Sequence, residues 1–387
     1  MKFAHLADCH IGGWREDNIK ELTIQTFEKA VEICIEENVN FILISGDLFD
    51  NPMPSIDILK RTTTELKKLK DNNISVYIIH GSHDYSVSGK TILDVFEKAG
   101  LLENVCKLNN NNLRFTEDKS GAKITGLIGK RNSLEVEDFK NLNMIDIEDE
   151  KGFKIFMFHT GIEEFKPQNL KEIKSTSLEL FPKNFNYYAG GHIHYIFNTS
   201  FSNGLLAYPG PLYPSNTKEL EHLKYGGFYI CETDENNIKL NYKQIKIKEV
   251  LLYNFRVDNK TSEEIVNLIL ENLSNVEDKI VILKIEGKMK GQPSQIDFSK
   301  IYENFSKTYS ILKITTNLEG DQFKELDINI ENEKDIESLI INEYKDIDNE
   351  LMKQLIRVLD KEKDEGERVS DFESAIIKEA TKTLELE

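Results

Sequence analysis

The stretch Phe41 to Asp50, FILISGDLFD, restricts the possible folds more than any other part of the chain. Four apolar residues, Phe41, Ile42, Leu43 and Ile44, run straight into Ser45, Gly46 and Asp47. A short apolar run ended by glycine predicts a strand buried on both faces, as in a parallel sheet covered by helices. Asp47 then falls just past the strand's carboxyl end, where open α/β sheets place their ligands. A carboxylate in that position can offer one oxygen to each of two hard cations.

The same device recurs on either side. Lys2 to Ala7 reads as a first strand and runs into Asp8-Cys9-His10. Residues 18–37 carry Ile19, Leu22, Phe27, Val31 and Cys34 or Ile35 at helical spacing, and residues 55–71 read as a lysine-rich helix. Ser75 to His80 (SVYIIH) reads as a third buried strand and leads into Gly81-Ser82-His83-Asp84. Strand–helix–strand–helix–strand with short connections predicts parallel pairing and right-handed crossovers. Three polar motifs would then sit at equivalent strand ends.

From about residue 113 the strands shorten and glycine turns appear: AKITGLIG (122–129), KIFMFH (154–159) and NYYAGGHIH (186–194). IFNTSF, LLAYPG, GGFYICET and IKLNYKQIKI then read as antiparallel hairpins, which closes a first domain near Lys248. Residues 249–317 read as strand, helix, strand, helix, strand, a compact α/β module. Residues 333–386 read as helical. Ile340, Tyr344, Ile347, Leu351, Leu355 and Val358 form one apolar stripe there, and Phe372, Ile376, Ala380 and Leu384 a second. The expected division is 1–248, 249–317 and an acidic helical segment, 318–387.

Composition limits what such a chain can be. With 387 residues, 39% of them apolar and 30% charged, it has material for a sizeable core. The net charge is -18, with a balance of -6 over residues 1–317 and -12 over 318–387. That excludes a globally basic nucleic-acid binder, but leaves room for a protein that grips phosphate through metals and local lysines. Cys9, Cys34, Cys106 and Cys231 form no CxxC pair, which argues against a disulfide framework or a thiolate zinc site and for a reducing cytoplasm. No apolar run approaches the ~20 residues of a membrane span, and the N-terminal run is broken by Asp8 and His10, unlike a signal peptide.

Five of the eight histidines lie in short motifs: His10 in DCH, His83 in GSHD, His159 in FHTG, and His192 and His194 in GGHIH. Singly, each motif is weak; four or five at strand ends of one domain point to a metal site. Imidazole with carboxylate and no thiolate favours Mn²⁺, Fe or Zn²⁺. In Asp8-x-His10 and His192-x-His194, alternate residues of an extended backbone point the same way and send Cys9 and Ile193 to the other face. Cys9 is therefore read as a small core residue.

In their order these motifs resemble the signature of the calcineurin-like metallophosphoesterases, D-x-H, G-D, G-N-H-[DE], H and G-H-x-H, with Ser82 in place of the Asn. Within that superfamily HLADCHIG, SGDLFD, the α/β module and the helices after it are most similar to the SbcD-type nuclease subunits of double-strand-break repair complexes. The motif resemblance covers residues 3–210 and the layout extends it to about 317. It implies an α-β-β-α sandwich with a small α/β cap and a C-terminal helical segment. It also implies two divalent cations, Mn²⁺. Carried over position by position, Asp8, His10 and His194 would hold one ion, and Ser82, His159 and His192 the other. Asp47 would bridge them. His83 would be the catalytic histidine, stabilising the transition state and protonating the leaving oxygen, with Asp84 accepting its other ring N–H. Ser82 departs from the family's Asn, whose carbonyl oxygen is the better neutral ligand.

The implied activity is two-metal phosphodiester hydrolysis, as a Mn²⁺-dependent 3′-to-5′ exonuclease and single-strand endonuclease acting on DNA. The implied setting is a cytoplasmic, nucleoid-associated homodimer whose C-terminal helices dock on an SMC-like coiled-coil ATPase. Two alternatives stay open: a phosphatase or cyclic-nucleotide phosphodiesterase for small molecules, and an inactive scaffold subunit. Lys130, Arg131 and Trp14 are candidate DNA contacts, Trp14 equally a loop-closing residue. Lys60, Lys67, Lys68 and Lys70 read mainly as a solvated helix face. Ser88-Gly89-Lys90-Thr91 lacks the upstream glycine of a P-loop and reads as a helix start capped by Ser88.

Overall fold

The computed structural model describes residues 1–85, 91–166, 175–234, 237–320, 351, 354–355, 358–361 and 369–384. Residues Met1–Asp321 form one compact unit and Gln322–Glu387 a second.

The first sheet begins with β1 (Lys2–Leu6), β2 (Phe41–Ser45), β3 (Ser75–Ile79) and the short β4 (Glu103–Asn104), all parallel. They are linked by α1 (Asp17–Glu36), α2 (Ile56–Asp71) and α3 (Ile92–Lys98). Every residue of Phe41–Ser45 is buried. Alternation assigns its two faces: Ala4, Leu6, Ile42, Ile44, Val76 and Ile78 meet the helices. Phe3, Phe41, Leu43, Tyr77 and Ile79 point into an inner core. The α3 start lies at Thr91, whose side chain accepts from Leu93 while Asp94 reaches back to the Thr91 N–H. Thr91, not Ser88, is thus the cap; Ser88 to Lys90 lie outside the described residues.

A small hairpin, β5 (Lys107–Asn109) and β6 (Asn112–Arg114), leads to a second sheet. Its strands are β7 (Thr116–Glu117), β8 (Lys123–Gly126), β9 (Lys154–His159), β10 (Tyr187–Gly191), β11 (Phe197–Phe201) and β12 (Gly204–Tyr208), in spatial order 11-12-10-9-8-7. Its centre is parallel, with antiparallel strands only at the edges. Ile155, Met157, Tyr187 and Ala189 face the inner core, and Phe156, Phe158 and Tyr188 the outer one. Beneath the outer face lie α4 (Glu135–Asn141) and α5 (Ile145–Asp149), supplying Phe139 and Ile147. Past α6 (Thr217–Leu223), the hairpin of β13 (Gly227–Asp234) and β14 (Asn237–Gln244) returns to the first sheet, with β13 antiparallel to β1. The result is the α-β-β-α sandwich, built of two six-stranded sheets.

The module that follows holds β15 (Val250–Arg256), β16 (Ile280–Lys288), β17 (Ser310–Ile314) and β18 (Leu318–Glu319), all parallel, with α7 (Ser262–Asn272) and α8 (Phe298–Asn304). A capping box of Thr261 and Glu264 starts α7. In the second unit, α9 (Val369–Thr383) carries half-buried Phe372, Ile376 and Ala380 at four-residue spacing. Ile340, Tyr344 and Ile347 of the other stripe lie outside the described residues. Among the described residues no helix is long and apolar enough to cross a membrane.

One buried histidine is structural. His5 is fully buried between the sheets, its Nδ1 2.8 Å from the Tyr187 hydroxyl and its Nε2 3.0 Å from Ser45 Oγ. Since Ser45 Oγ donates to the Ala189 carbonyl, it accepts from His5 Nε2–H, and Nδ1 accepts from Tyr187. Burial pushes the imidazole down to about 3, so it folds neutral. Between pH 6.5 and 3 the unfolded chain then binds a proton that the native one refuses, so stability falls with falling pH. The slope is about 1.4 kcal/mol per pH unit. In urea titrations of wild type and His5→Gln across this range, the wild type is expected to lose stability more steeply; equal slopes would show that His5 takes up its proton in the folded state.

Candidate metal centre

The loops that leave β1 and β2 continue their pairing beyond the sheet. Asp8 N–H donates to the Gly46 carbonyl (3.2 Å), His10 to Asp47 (3.0 Å) and Ile11 to Leu48 (3.0 Å). The backbone is not extended here. Asp8, His10 and Asp47 have φ of 48°, 41° and 51°, and His192 has 91°. The side chains therefore converge through left-handed backbone, and not through the strand alternation read from the sequence. Such φ values are uncommon for non-glycine residues and persist only where the surroundings enforce them. Cys9 and Ile193 do face the helix-side and outer cores. Burial pushes the Cys9 thiol well up, which suits a core residue.

Asp47 lies in the middle of the site. Its Oδ2 is 3.1 Å from His159 Nε2 and 3.7 Å from His10 Nε2. Its Oδ1 accepts the His83 N–H at 2.8 Å, and Ser82 Oγ approaches Oδ2 at 3.5 Å. Asp8 accepts the His192 N–H on both oxygens (3.0 and 3.1 Å), and Oδ1 stands 3.8 Å from His194 Nε2. The His192 ring is 5.1 Å from that of His159. Close packing is needed here. A Cβ on Gly46 (φ +87°) would run into the His159 ring, and one on Gly81 into the Asp47 carboxylate.

The tautomers show what the site lacks in protein partners. His159 Nδ1 donates to the Ser45 carbonyl at 2.8 Å, so in the neutral ring Nε2 carries a lone pair. That Nε2 is buried beside Asp47 without a hydrogen bond. His194 Nδ1 is 3.1 Å from both Glu219 oxygens, and His10 Nδ1 is 3.3 Å from Asp50 Oδ1. Glu219 holds the His194 Nδ1 proton, so in the neutral ring Nε2 carries a lone pair, 3.2 Å from His10 Nε2, while the buried His10 Nδ1 makes no hydrogen bond. Lone pairs on both Nε2 atoms would repel unless a proton or cation lay between them. Asp8, His10 and His194 bring ligand atoms within 4.8 Å of one another, as do Asp8, Asp47 and His159. The donor set therefore fits divalent cations held by imidazole and carboxylate.

Charge follows the same logic. Burial alone would raise Asp47, but His159, His10 and His83 hold it well below the usual carboxylate range. Burial would lower His159; Asp47 and Asp8 outweigh it and push the ring up to about 10, so without a cation Nε2 takes up a proton facing Asp47 Oδ2, at the place a cation would occupy. Burial lifts Asp8, and burial together with neighbouring His159 drops His192 to about 3. Burial would also raise Glu219, yet the bonds from His194, Ser215 and Asn216 bring it below the ordinary value.

Asp84 does other work than the sequence suggested. Its carboxylate is buried and accepts backbone N–H groups of Gly81 (3.1 Å), Leu48 (3.2 Å) and Phe49 (3.2 Å). It ties the loop carrying Asp47 to the loop carrying His83 and forms no bond to the His83 ring. That ring is half exposed, and its Nδ1 lies 2.8 Å from the Asp50 backbone carbonyl. It stands edge-on to His10, centroids 4.7 Å apart. Trp14 closes a loop: Nε1 donates to the Pro214 carbonyl at 2.8 Å and the ring packs on buried apolar residues. Lys130 is paired with Asp138 at 2.6 Å, whereas exposed Arg131 reaches the Ser82 carbonyl with Nε at 3.4 Å. Glu219 and Asp50 were not found from the sequence. Both act through tertiary contact, and only the Asn216-x-x-Glu219 spacing of a helix start hinted at a role for Glu219.

Residues 1–195 match the calcineurin-like phosphoesterase family, a span that contains every candidate ligand. The chain is 30% identical over 364 residues to the DNA double-strand break repair protein Mre11 of Methanococcus maripaludis, covering 89% of this chain and 87% of that one. It is also 30% identical over 358 residues to the Mre11 of Methanocaldococcus jannaschii (89% and 88% covered). Against the Mre11 of Sulfolobus acidocaldarius it is 25% identical over 327 residues (79% and 82%). The chain belongs to the calcineurin-like phosphoesterases and, within them, to the Mre11 family of metal-dependent nucleases.

Proposed function

We propose that this chain is a two-metal DNA nuclease of double-strand-break repair, a Mn²⁺-dependent 3′-to-5′ exonuclease and single-strand endonuclease. The observation that carries the reading is the convergence of the His10, His159 and His194 ring nitrogens on the buried carboxylates of Asp8 and Asp47. Asp8, His10 and His194 would hold one ion, Ser82, His159 and His192 the other, and Asp47 would bridge. Bound there, two cations would neutralise the phosphodiester and lower the pKa of water.

The protein's own groups do the rest. His83, half exposed at the edge of the cluster, is the candidate acid. With Nδ1–H committed to the Asp50 carbonyl, a protonated His83 presents Nε2–H to the leaving oxygen. Asp84 keeps the His83 and Asp47 loops in register. Arg131, beside the Ser82 carbonyl, is placed to meet a backbone phosphate. We further assign residues 1–248 to the nuclease domain, 249–317 to the cap and 318–387 to a segment that docks on an SMC-like ATPase, in a homodimer. The half-buried stripe of α9 and the acidity of residues 318–387 support the docking role.

The test is digestion of a 3′-labelled duplex with Mn²⁺. Wild type is expected to degrade it and to stop when EDTA is added. His83→Ala should lose on the order of 10²–10⁴ in rate, while Ser82→Asn holds or gains activity. A wild type inert on DNA yet active on bis-p-nitrophenyl phosphate would replace this reading with a small-molecule phosphodiesterase. A second expectation separates His83 from Asp84. Asp84→Ala strands buried N–H groups and should reduce stability by roughly 1–3 kcal/mol or more, whereas His83→Ala should stay within about 0.5 kcal/mol of wild type. Thermal melts of the two variants check this; equal losses would count against a structural role for Asp84.

A further inference from the structure

Helix α6 has only seven residues, and three consecutive ones face three different parts of the protein. Glu219 takes His194: both carboxylate oxygens lie 3.1 Å from Nδ1. The same carboxylate accepts Ser215 N–H (2.9 Å) and Asn216 Nδ2 (2.6 Å), so it is fixed to the strap that enters the helix. Leu220 is fully buried in an apolar seam with Ile19 and Leu22 of α1 and Ile282, Leu312 and Ile314 of the cap sheet. Glu221 accepts Lys284 Nζ of β16 at 2.8 Å, with both side chains half buried.

The entry strap is held as well. Trp14 donates to the Pro214 carbonyl, and its ring packs on the same seam. Beside it the cap is fastened to α1 by a reciprocal pair: Asn18 Nδ2 donates to the Tyr309 carbonyl (2.9 Å), and Tyr309 OH to the Asn18 carbonyl (2.8 Å). A displacement of the cap would be felt at Leu220 and Glu221, immediately next to the carboxylate that sets the His194 ring.

We propose that Glu219 is a positioning residue for His194, and that the α/β cap, by clamping α6 through Leu220 and Glu221, determines how well His194 is presented to its metal ion. This rests on the two-metal reading above. Loss of a partner that orients a ligating imidazole typically weakens metal binding about 10–100-fold, and a cap-side change should act on the same ion and not on the one assigned to His159 and His192.

The experiment is Mn²⁺ titration of the metal-free full chain by calorimetry, which reads binding without any nuclease assay. Wild type is expected to take up two ions. Glu219→Ala should weaken one by about 10–100-fold and leave the other intact. Glu219→Gln should recover much of the loss, since its amide carbonyl still accepts from Nδ1–H. Leu312→Ala, wholly within the cap, should weaken the same ion severalfold and add little on top of Glu219→Ala. Undisturbed binding of the second ion reports that each variant is folded; if Leu312→Ala does not fold, Lys284→Met makes the same test through the ion pair alone. Wild-type affinity in Glu219→Ala would overturn the positioning role. Equal weakening of both ions, or cap variants that bind as wild type, would overturn the coupling. A wild type that takes up no ion would remove the metal centre itself and this inference with it.

Discussion

A single buried carboxylate, Asp47, is what the loops of the centre are arranged around. Its side chain is almost inaccessible, at 3% exposure, and an isolated anion in such a place would be expelled or protonated. It stays charged because His159, His10 and His83 surround it, and because the His83 amide closes on Oδ1. The left-handed conformations of Asp8, His10, Asp47 and His192 are what bring those groups within reach. Each is disfavoured locally by roughly 1–2 kcal/mol. The sheets that end there, and the cross-loop bonds that continue their pairing, supply the compensation.

Much of this was legible along the chain. The three parallel strands are short apolar runs ended by polar motifs, and the fold places such ends side by side. That is why Asp8, His10, Asp47, His83, His159, His192 and His194 could be picked out and are found near one another. What could not be read is who holds the holders. Asp84 looked like a partner for the ring of its sequence neighbour, but its carboxylate turns inward to three amides. Glu219 lies 25 residues from His194 and Asp50 40 from His10, so no local pattern announces either contact. Trp14, open between stacking and closure, resolves to closure because its indole N–H has a carbonyl 200 residues away.

The second sheet was read only in part for a related reason. The hairpins of residues 197–208 and 227–244 follow their predicted pairing, but they belong to different sheets. Pairing within a hairpin is local and visible in alternation, whereas the choice of sheet depends on which face each strand must bury. Tyr187 and Ala189 face the inner core and Tyr188 the outer one, so both faces of β10 are covered, and it pairs with β9 on one side and β12 on the other.

The same argument explains why the α/β module of β15 to β18, the proposed cap, shares one compact unit with the two-sheet sandwich. A parallel sheet needs both faces covered, and the two helices of the cap supply only one. Along β16 the residues Val281, Leu283 and Ile285 face the cap's own helices. Ile280 and Ile282 face the other way, into the seam with α1 and α6. Lys284 follows on that side and finds Glu221. Period-two alternation in one strand thus requires a partner surface, and the surface it finds belongs to the helix that carries Glu219. The burial that keeps the cap attached and the bond that orients a candidate ligand are therefore parts of one packing solution: neither can be loosened without the other feeling it.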